Sequence, residues 1–474
     1  MSSRVAARCA AIVCAGLFSA CAVRNPLPDL PKDSLAAWRS DAGAKAAAGL
    51  QPDLDRWWRA FGDANLDRLV ERALAENLGV KIAGERLRAA RAVHRRSRSE
   101  FWPNLNFRVY EETAPGGQTG YLEMGFDSSW EFGFFGRAES TKRVNLADLD
   151  NAAIDEAAAR VSLVAEVVRA YVDLCAANQR ARMYFDIVSA RQALVRLAEI
   201  RLRVHLGSQV DLDRATVELQ QALMEASDAP TAANVAQQSL AVLLGATDLP
   251  DADMLAQAPQ PQLPSLTIRE TPADLPRTRP EIRRAEENVL RAAGELGIAR
   301  ADLYPKFSIV GTLISSTALT GDLDRPNKAV PLIGPAVTIP IFDWGARRDV
   351  VNAREAALSA AVLAYREAVL EGFGEVRSAL TQFDAKTALV VHATDAFAAA
   401  SRTRESSAKL RALGLADASD TISGDLGATQ ARMLVMSALR ERALAYVALY
   451  KALGGAMPPA RMEDAHARDE ERTR

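Results

Sequence analysis

Apolar and polar residues alternate along two stretches of the chain. Leu105, Phe107 and Val109 interleave with Asn106, Arg108 and Tyr110, while Leu122, Met124, Phe126, Trp130 and Phe132 interleave with Glu123, Asp127, Ser129 and Glu131. A period of two places the two sets on opposite faces of a strand. Strands are therefore expected at about 105–113 and 121–132, joined by a turn at Pro115-Gly116-Gly117. A second pair is expected at about 307–315 and 333–341, with Val337, Ile339 and Ile341 on one side. Runs of this size suit transmembrane β-strands of about 9 to 11 residues, although a half-buried strand in a soluble sheet alternates in the same way. In hydrocarbon, four strands cannot remain an open sheet, because each unpaired edge N–H or C=O costs several kcal/mol. Membrane strands here would require further copies of the chain.

The rest of the chain reads as helix. Arg137 to Leu206 and Arg347 to Leu413 are runs of 70 and 67 residues without proline, and the longer would extend roughly 105 Å as helix. Shorter helical runs, Ala64 to Glu100, Asp211 to Gly245, Pro280 to Tyr304 and Asp417 to Gly454, flank them. Two short runs end to end match one long run, which suits a coiled-coil tube better than two independent bundles. Pro230 is expected to bend its helix. Prolines at 250, 259, 261, 264, 272 and 276 mark residues 246–279 as an extended linker, and the charges from Glu463 to Arg474 mark 456–474 as a tail expected to be disordered.

The chain also repeats itself. Phe101-Trp102-Pro103 matches Leu303-Tyr304-Pro305, a shift of 202 at the proline. Glu131-Phe132-Gly133-Phe134-Phe135-Gly136-Arg137 echoes Pro340-Ile341-Phe342-Asp343-Trp344-Gly345-Ala346-Arg347, a shift of 210 at the arginine. Leu206-Gly207 matches Leu413-Gly414 at 207, and Leu244-Gly245 matches Leu453-Gly454 at 209. Landmarks in the same order at nearly one spacing indicate a duplicated half, 57–245 and 280–455, far longer than a solenoid repeat.

Composition narrows the chemistry. Lys plus Arg number 58 against 60 Asp plus Glu, so no strong field recruits nucleic acid. The four cysteines and four histidines are scattered, which argues against zinc, and no phosphate loop or hydrolase motif points to a cofactor or an enzyme. At the N-terminus Arg4 and Arg8 precede an apolar run from Ala10 to Phe18, which reads as a signal peptide over 1–20 and is too short to span a bilayer. Leu17-Phe18-Ser19-Ala20-Cys21 resembles a bacterial lipobox, except that Phe18 stands where Leu is usual. Lipidation of Cys21 and an anchored segment over 21–56 follow from it; ordinary cleavage nearby would leave Cys21 an incidental thiol. Cys175 is expected to pack within a helix.

Trp57-Trp58-Arg59-Ala60-Phe61-Gly62-Asp63, the Trp102-Pro103-Asn104-Leu105 and Tyr304-Pro305 strand entries, Trp130-Glu131 through Gly136-Arg137, Arg279-Pro280-Glu281-Ile282 and Leu449 through Gly455 resemble the TolC-type outer membrane factor family. The match is closest to its lipoprotein branch in resistance-nodulation-division efflux systems and covers roughly Asp53 to Gly455. The resemblance implies a mostly α fold with transmembrane β: a homotrimer whose four strands per chain make a twelve-stranded outer membrane barrel, continued by a periplasmic tunnel of coiled-coil helices. It also implies an exit duct for small molecules, working with a periplasmic adaptor and an inner membrane pump in outer membrane lipid. A type I secretion duct for peptide or protein, or a structural coiled-coil surface lipoprotein, are the alternatives.

Two turns join long to short helices, Arg203 to Asp211 and Arg411 to Asp420. Gly207 and Gly414 suit a left-handed helix end. By resemblance Leu206, Gly207, Leu413 and Gly414 are adaptor-docking tips, and aspartates after the second turn ring the periplasmic entrance. Asp420 falls at the first such position, while Ser423 occupies the second and leaves Asp417 as its substitute. Helix N-capping explains the same two carboxylates without a gate.

Overall fold

The computed structural model describes residues 54–97, 99–113, 120–264, 279–318 and 330–455. The expected signal peptide, Cys21, the 115–117 turn and the tail lie outside them. After a 3-10 helix at Leu54–Phe61 come α1 (Ala64–Glu76), α2 (Leu78–Ser97), β1 (Asn104–Thr113), β2 (Gly120–Phe132), α3 (Arg137–Arg203), α4 (Gln209–Leu243) and α5 (Ala252–Ala256). The order continues with α6 (Pro280–Ala301), β3 (Lys306–Ala318), β4 (Val330–Thr338), α7 (Ala346–Ala412) and α8 (Ala418–Ala452). The chain divides into two compact units, which among the described residues hold Glu85–Ile154 and Glu281–Ala368 in one, and residues 54–84, Asp155–Pro280 and 369–455 in the other. Each unit draws on both sequence repeats, so neither repeat is a compact body by itself.

The helices fix the repeat at one offset. α3 and α7 are both 67 residues, α4 and α8 both 35, and every one of their ends is displaced by 209 (346 − 137, 412 − 203, 418 − 209, 452 − 243). Left-handed residues obey the same rule: Phe135 and Trp344, Gly136 and Gly345, Gly245 and Gly454. Arg137 is therefore equivalent to Ala346, one residue before the Arg347 that sequence matching selects. Likewise Leu206 is equivalent to Leu415 instead of Leu413.

In the first unit the sheet has the order β1-β2-β3-β4, all antiparallel. Phe107 lies opposite Phe126 and Phe126 opposite Leu313, with the two phenyl rings 5.0 Å apart, so one face is an exposed apolar row. The other face carries an Arg108–Asp127 ion pair at 3.0 Å and a Tyr110 hydroxyl donating to Glu123. β4 ends at Thr338, short of the expected 341, because β3 begins at Lys306 directly opposite and offers no further partner. A left-handed corner follows β2. There Phe135 stacks on Tyr304 at 4.9 Å and Phe134 meets Phe307 edge-on at 5.7 Å. Arg137 then binds Asp302 at 2.6 Å, and Arg291 binds Asp148 at 3.2 Å, tying α3 to α6 above buried Ile154, Ile282 and Val289.

The second unit is built on the Trp57–Asp63 segment. Trp57 stacks on Tyr450 at 5.3 Å, Phe61 meets Tyr446 edge-on at 5.6 Å, and the Tyr446 hydroxyl donates to the Trp57 carbonyl at 3.3 Å. Asp63 caps α1 through the Asn65 amide at 2.8 Å and accepts the buried Tyr171 hydroxyl at 2.7 Å. Cys175, one turn along α3 from Tyr171, is buried, and burial pushes its thiol up to about 12, so it is unreactive at neutral pH. The expected single helix over 64–100 breaks at Asn77, whose amide donates to the Leu243 carbonyl at 2.9 Å while its oxygen accepts the Val80 N–H at 3.1 Å. That side chain offers the backbone an alternative to the helical ladder. α4 runs as one helix through Pro230. The described part of the linker, 246–264, packs more closely than its prolines suggest: Leu249, Leu255, Ala258 and Leu263 join the core, and buried Arg442 holds the Leu263 and Pro264 carbonyls at 3.2 and 2.6 Å.

A half-buried acid should give the first unit a pH dependence. Burial, then the Asp150 and Glu286 carboxylates, push the Glu287 carboxyl up to about 7 from 4.5, with Arg283 opposing. The folded state thus binds this proton more tightly than the unfolded state. Its contribution is complete below about pH 4.5 and is lost as pH rises through about 7. The melting temperature should fall across that window, and Glu287→Gln should flatten the fall and melt higher than the parent at pH 8; an unchanged profile in the variant would place the dependence elsewhere.

Candidate functional site: the helix tips

The turn after α3 and the turn after α7 are the same construction. In the first, His205 sits left-handed at φ 57°, the Leu206 amide donates to the Arg201 carbonyl at 2.8 Å, and the His205 amide donates to the Leu202 carbonyl at 3.1 Å. In the second, Gly414 is left-handed at φ 73°, with Leu415 donating to Leu410 and Gly414 to Arg411, both at 2.9 Å. This 6→1 and 5→2 pair is the Schellman closure that satisfies the last carbonyls of a helix. The left-handed residue of the first turn is thus His205 and not Gly207, which the sequence pattern favoured. Gly207 serves close approach, since a Cβ there would lie 3.1 Å from the Arg201 Cβ.

Each turn then starts the next helix with a reciprocal cap. Ser208 accepts the Asp211 N–H, and the Asp211 carboxylate accepts the Ser208 N–H at 3.0 Å and its hydroxyl at 2.8 Å. Those bonds, the backbone one first, hold the Asp211 carboxyl below the usual carboxylate range. At the second tip Asp417 accepts the Ala418 N–H, and Asp420 accepts the Asp417 N–H at 3.1 Å. Both aspartates named from sequence are therefore helix caps, both exposed, and both within one turn of chain. Asp211, overlooked among the candidates, is the first-tip equivalent of Asp420; the Ser208-x-x-Asp211 spacing is its signal.

One side chain crosses between the tips. The Arg201 guanidinium pairs with the Asp417 carboxylate and donates to the Ser419 hydroxyl at 3.1 Å, so the end of α3 is tied to the start of α8. Around this polar tie the tips are apolar: Leu206 is 79% exposed, and Leu413 and Leu415 are each 72% exposed. These leucines are held out on closed turns, so each tip presents apolar area to solvent. Farther along the helices, a groove of about 1030 Å³ lies between α3, α4 and α8, where Arg440 pairs with Asp173 at 2.7 Å beside Met183 and Met433. Arg169, on the same helix as Asp173, lies 4.0 Å from that carboxylate as well.

Solved structures that share this fold include outer membrane channels. The chain is similar to the outer-membrane channel OprN, with a TM-score of 0.74 and 25% identity over 91% of this chain and 99% of that one. The CmeC outer membrane channel of Campylobacter jejuni shares the fold at a TM-score of 0.75, with 21% identity over 91% of this chain and 94% of that one. Among curated relatives, outer membrane protein OprJ of Pseudomonas aeruginosa is 28% identical over 387 residues, covering 79% of this chain and 80% of that protein. The chain belongs to the outer membrane efflux protein family, whose pattern matches residues 69–246 and 273–455, one segment on each repeat. It is an outer membrane efflux channel.

The closures can be separated by substitution. Gly414→Ala places a Cβ on a left-handed backbone and should destabilise by about 1 to 2 kcal/mol. His205→Gly removes the same strain and should stabilise by up to about 1 kcal/mol after its greater unfolded-state entropy is counted. Thermal melts of the two variants moving in the same direction would show that the tips do not share this closure.

Proposed function

We propose that three copies form the exit duct of a tripartite pump, with the two helix tips as the seat of a periplasmic adaptor and Asp417 and Asp420 at the entrance. The observation that carries this reading is the pair of equivalent turns, each ending a 67-residue helix and each presenting leucine to solvent. Leu206, Gly207, Leu413 and Gly414 make that seat: the leucines supply apolar area, and the closed turns fix where they point. An inner membrane pump of resistance-nodulation-division type drives export, the duct itself being passive, and Cys21 carries the lipid anchor. Three-fold assembly multiplies each entrance carboxylate by three, which attracts cations and resists close approach unless the charges are paired. Arg201 supplies such pairing within each copy, so widening the entrance by moving the tips apart must give up the Arg201–Asp417 contact.

Planar bilayer recordings test the entrance. Asp420→Ala should weaken cation preference and block by trivalent cations, and Asp417→Ala should add to this while releasing Arg201. Loss of the caps alone would lower stability by about 0.5 to 2 kcal/mol and leave selectivity unchanged. A double variant with a lowered melting temperature and the parent's selectivity and cation block would overturn the gate and leave these residues as caps.

A further inference from the structure

The sheet has two outer strands, β1 and β4, with no strand beyond either within the described chain. Exposed apolar residues line both: Leu105, Phe107 and Val109 on β1, and Val337, Ile339 and Ile341 on β4 and its continuation. A second exposed feature lies at the corner after β4, where Trp344, at left-handed φ 59°, is 89% exposed. Trp102, at the entry to β1, is 69% exposed.

The duplication shows what such surfaces meet. In the first repeat, β2 and its corner pack on the entry of β3: Phe135 stacks on Tyr304, Phe132 lies opposite Phe307, Trp130 opposite Ile309, and Ser128 opposite Gly311. The second-repeat equivalents of β2 and its corner lie 209 residues on, since Phe135 corresponds to Trp344. The first-repeat equivalents of the β3 entry lie 202 residues back, since Pro305 corresponds to Pro103. Applying both shifts turns each observed contact into an unmade one. Trp344 falls on Trp102, Ile341 opposite Leu105, Ile339 opposite Phe107, and Val337 opposite Val109. All eight of these residues are exposed in the single chain, so the contacts belong between copies.

Copies of a sheet ordered β1-β2-β3-β4 can close a barrel only where β4 of one meets β1 of the next; we propose that they meet in this register and that Trp344 closes on Trp102 of the next copy, a proposal that rests on the assembly of copies into a barrel. Three consequences agree. The register sets apolar residues against apolar residues at three successive same-face positions, as cross-strand pairing favours. It gives residues 339–341 the partner strand they lack in one chain, where β4 stops at Thr338. The same two shifts, taken from the helix offset and the strand entry, satisfy both the strand edges and the aromatic corner. A second copy is preferred to lipid at Trp344 because its equivalent, Phe135, is covered by protein on Tyr304 within the chain.

Cysteine pairs read the register in the full-length protein in outer membranes. Directly opposed residues have Cα atoms about 4.5 to 5.5 Å apart, within disulfide reach. A displacement by two residues puts them about 7 to 8 Å apart, beyond it. Phe107→Cys with Ile339→Cys, and separately Val109→Cys with Val337→Cys, should give covalent dimers and trimers on non-reducing gels, with the single variants as controls. Phe107→Cys with Val337→Cys should stay uncrosslinked. Crosslinking of that displaced pair in place of the proposed ones would overturn the register while leaving the barrel. Intact trimers with no crosslink in any pair would overturn the seam, and a chain that forms no trimer would overturn the assembly beneath it. Quenching of Trp344 by brominated lipid in otherwise crosslinkable trimers would remove the corner contact from the proposal.

Discussion

In hydrocarbon a backbone amide has no water to turn to, so every N–H and C=O of a membrane sheet must be bonded by protein. The four strands of this chain satisfy that demand along three internal seams and leave it open along β1 and β4. Much else in the molecule can be understood as the consequence. An open edge makes the isolated chain unfit for a bilayer, and a duplicated unit supplies one strand pair per repeat with chemically similar entries and corners. The apolar row of Leu105, Phe107, Phe126 and Leu313 is exposed on one face, as a lipid-facing row would be, while Arg108 pairs with Asp127 and Tyr110 with Glu123 on the other.

The duplication is held more strictly in helix than in strand. From Phe135 to Gly245 the two halves match residue for residue at 209, but the strand entries match at 202. The seven extra residues (209 − 202) all fall between strand entry and corner, in the second hairpin stretch. That is where length is cheap. A helix packed along its whole face turns by 100° for each inserted residue and loses its apolar stripe, whereas a hairpin lengthens at its tip with little loop-closure cost. Equal helices of 67 and 35 residues in both halves keep the two tip turns equivalent.

Sequence patterning located the strands because period-two alternation runs through them, and it located the long helices because proline is absent from them. It missed features decided by single polar contacts across long separations. Asn77 breaks a helix by bonding to Leu243, and nothing near Asn77 announces that partner. Cores also hid in loops: Leu255 and Leu263 look like linker residues beside their prolines, yet Arg442 and the aromatic cluster around Trp57 draw them inward. At the tips the glycines pointed to the right turns and to the wrong register, since a histidine can occupy the left-handed position that Gly207 was expected to take. The caps at Asp417 and Asp420 were readable from spacing. Arg201, which faces Asp417 from more than two hundred residues away, was not.

That arginine changes how the entrance should be understood. Asp417 performs two tasks with one carboxylate, accepting the first amide of α8 and pairing with Arg201. Cap and tie are therefore coupled, and their contributions cannot be added as if they were separate sites. The coupling also has a direction. Loss of Arg201 leaves the cap in place and frees a negative charge, while loss of Asp417 removes both cap and tie and frees a positive one. Asp420 stands outside the tie, bonded to the Asp417 amide, so its charge faces solvent whether the tips are joined or apart. If the tips form the proposed entrance, a carboxylate held by its own turn and unspent on a partner helix is the one that keeps its charge for an entering ion whether the tips are joined or apart.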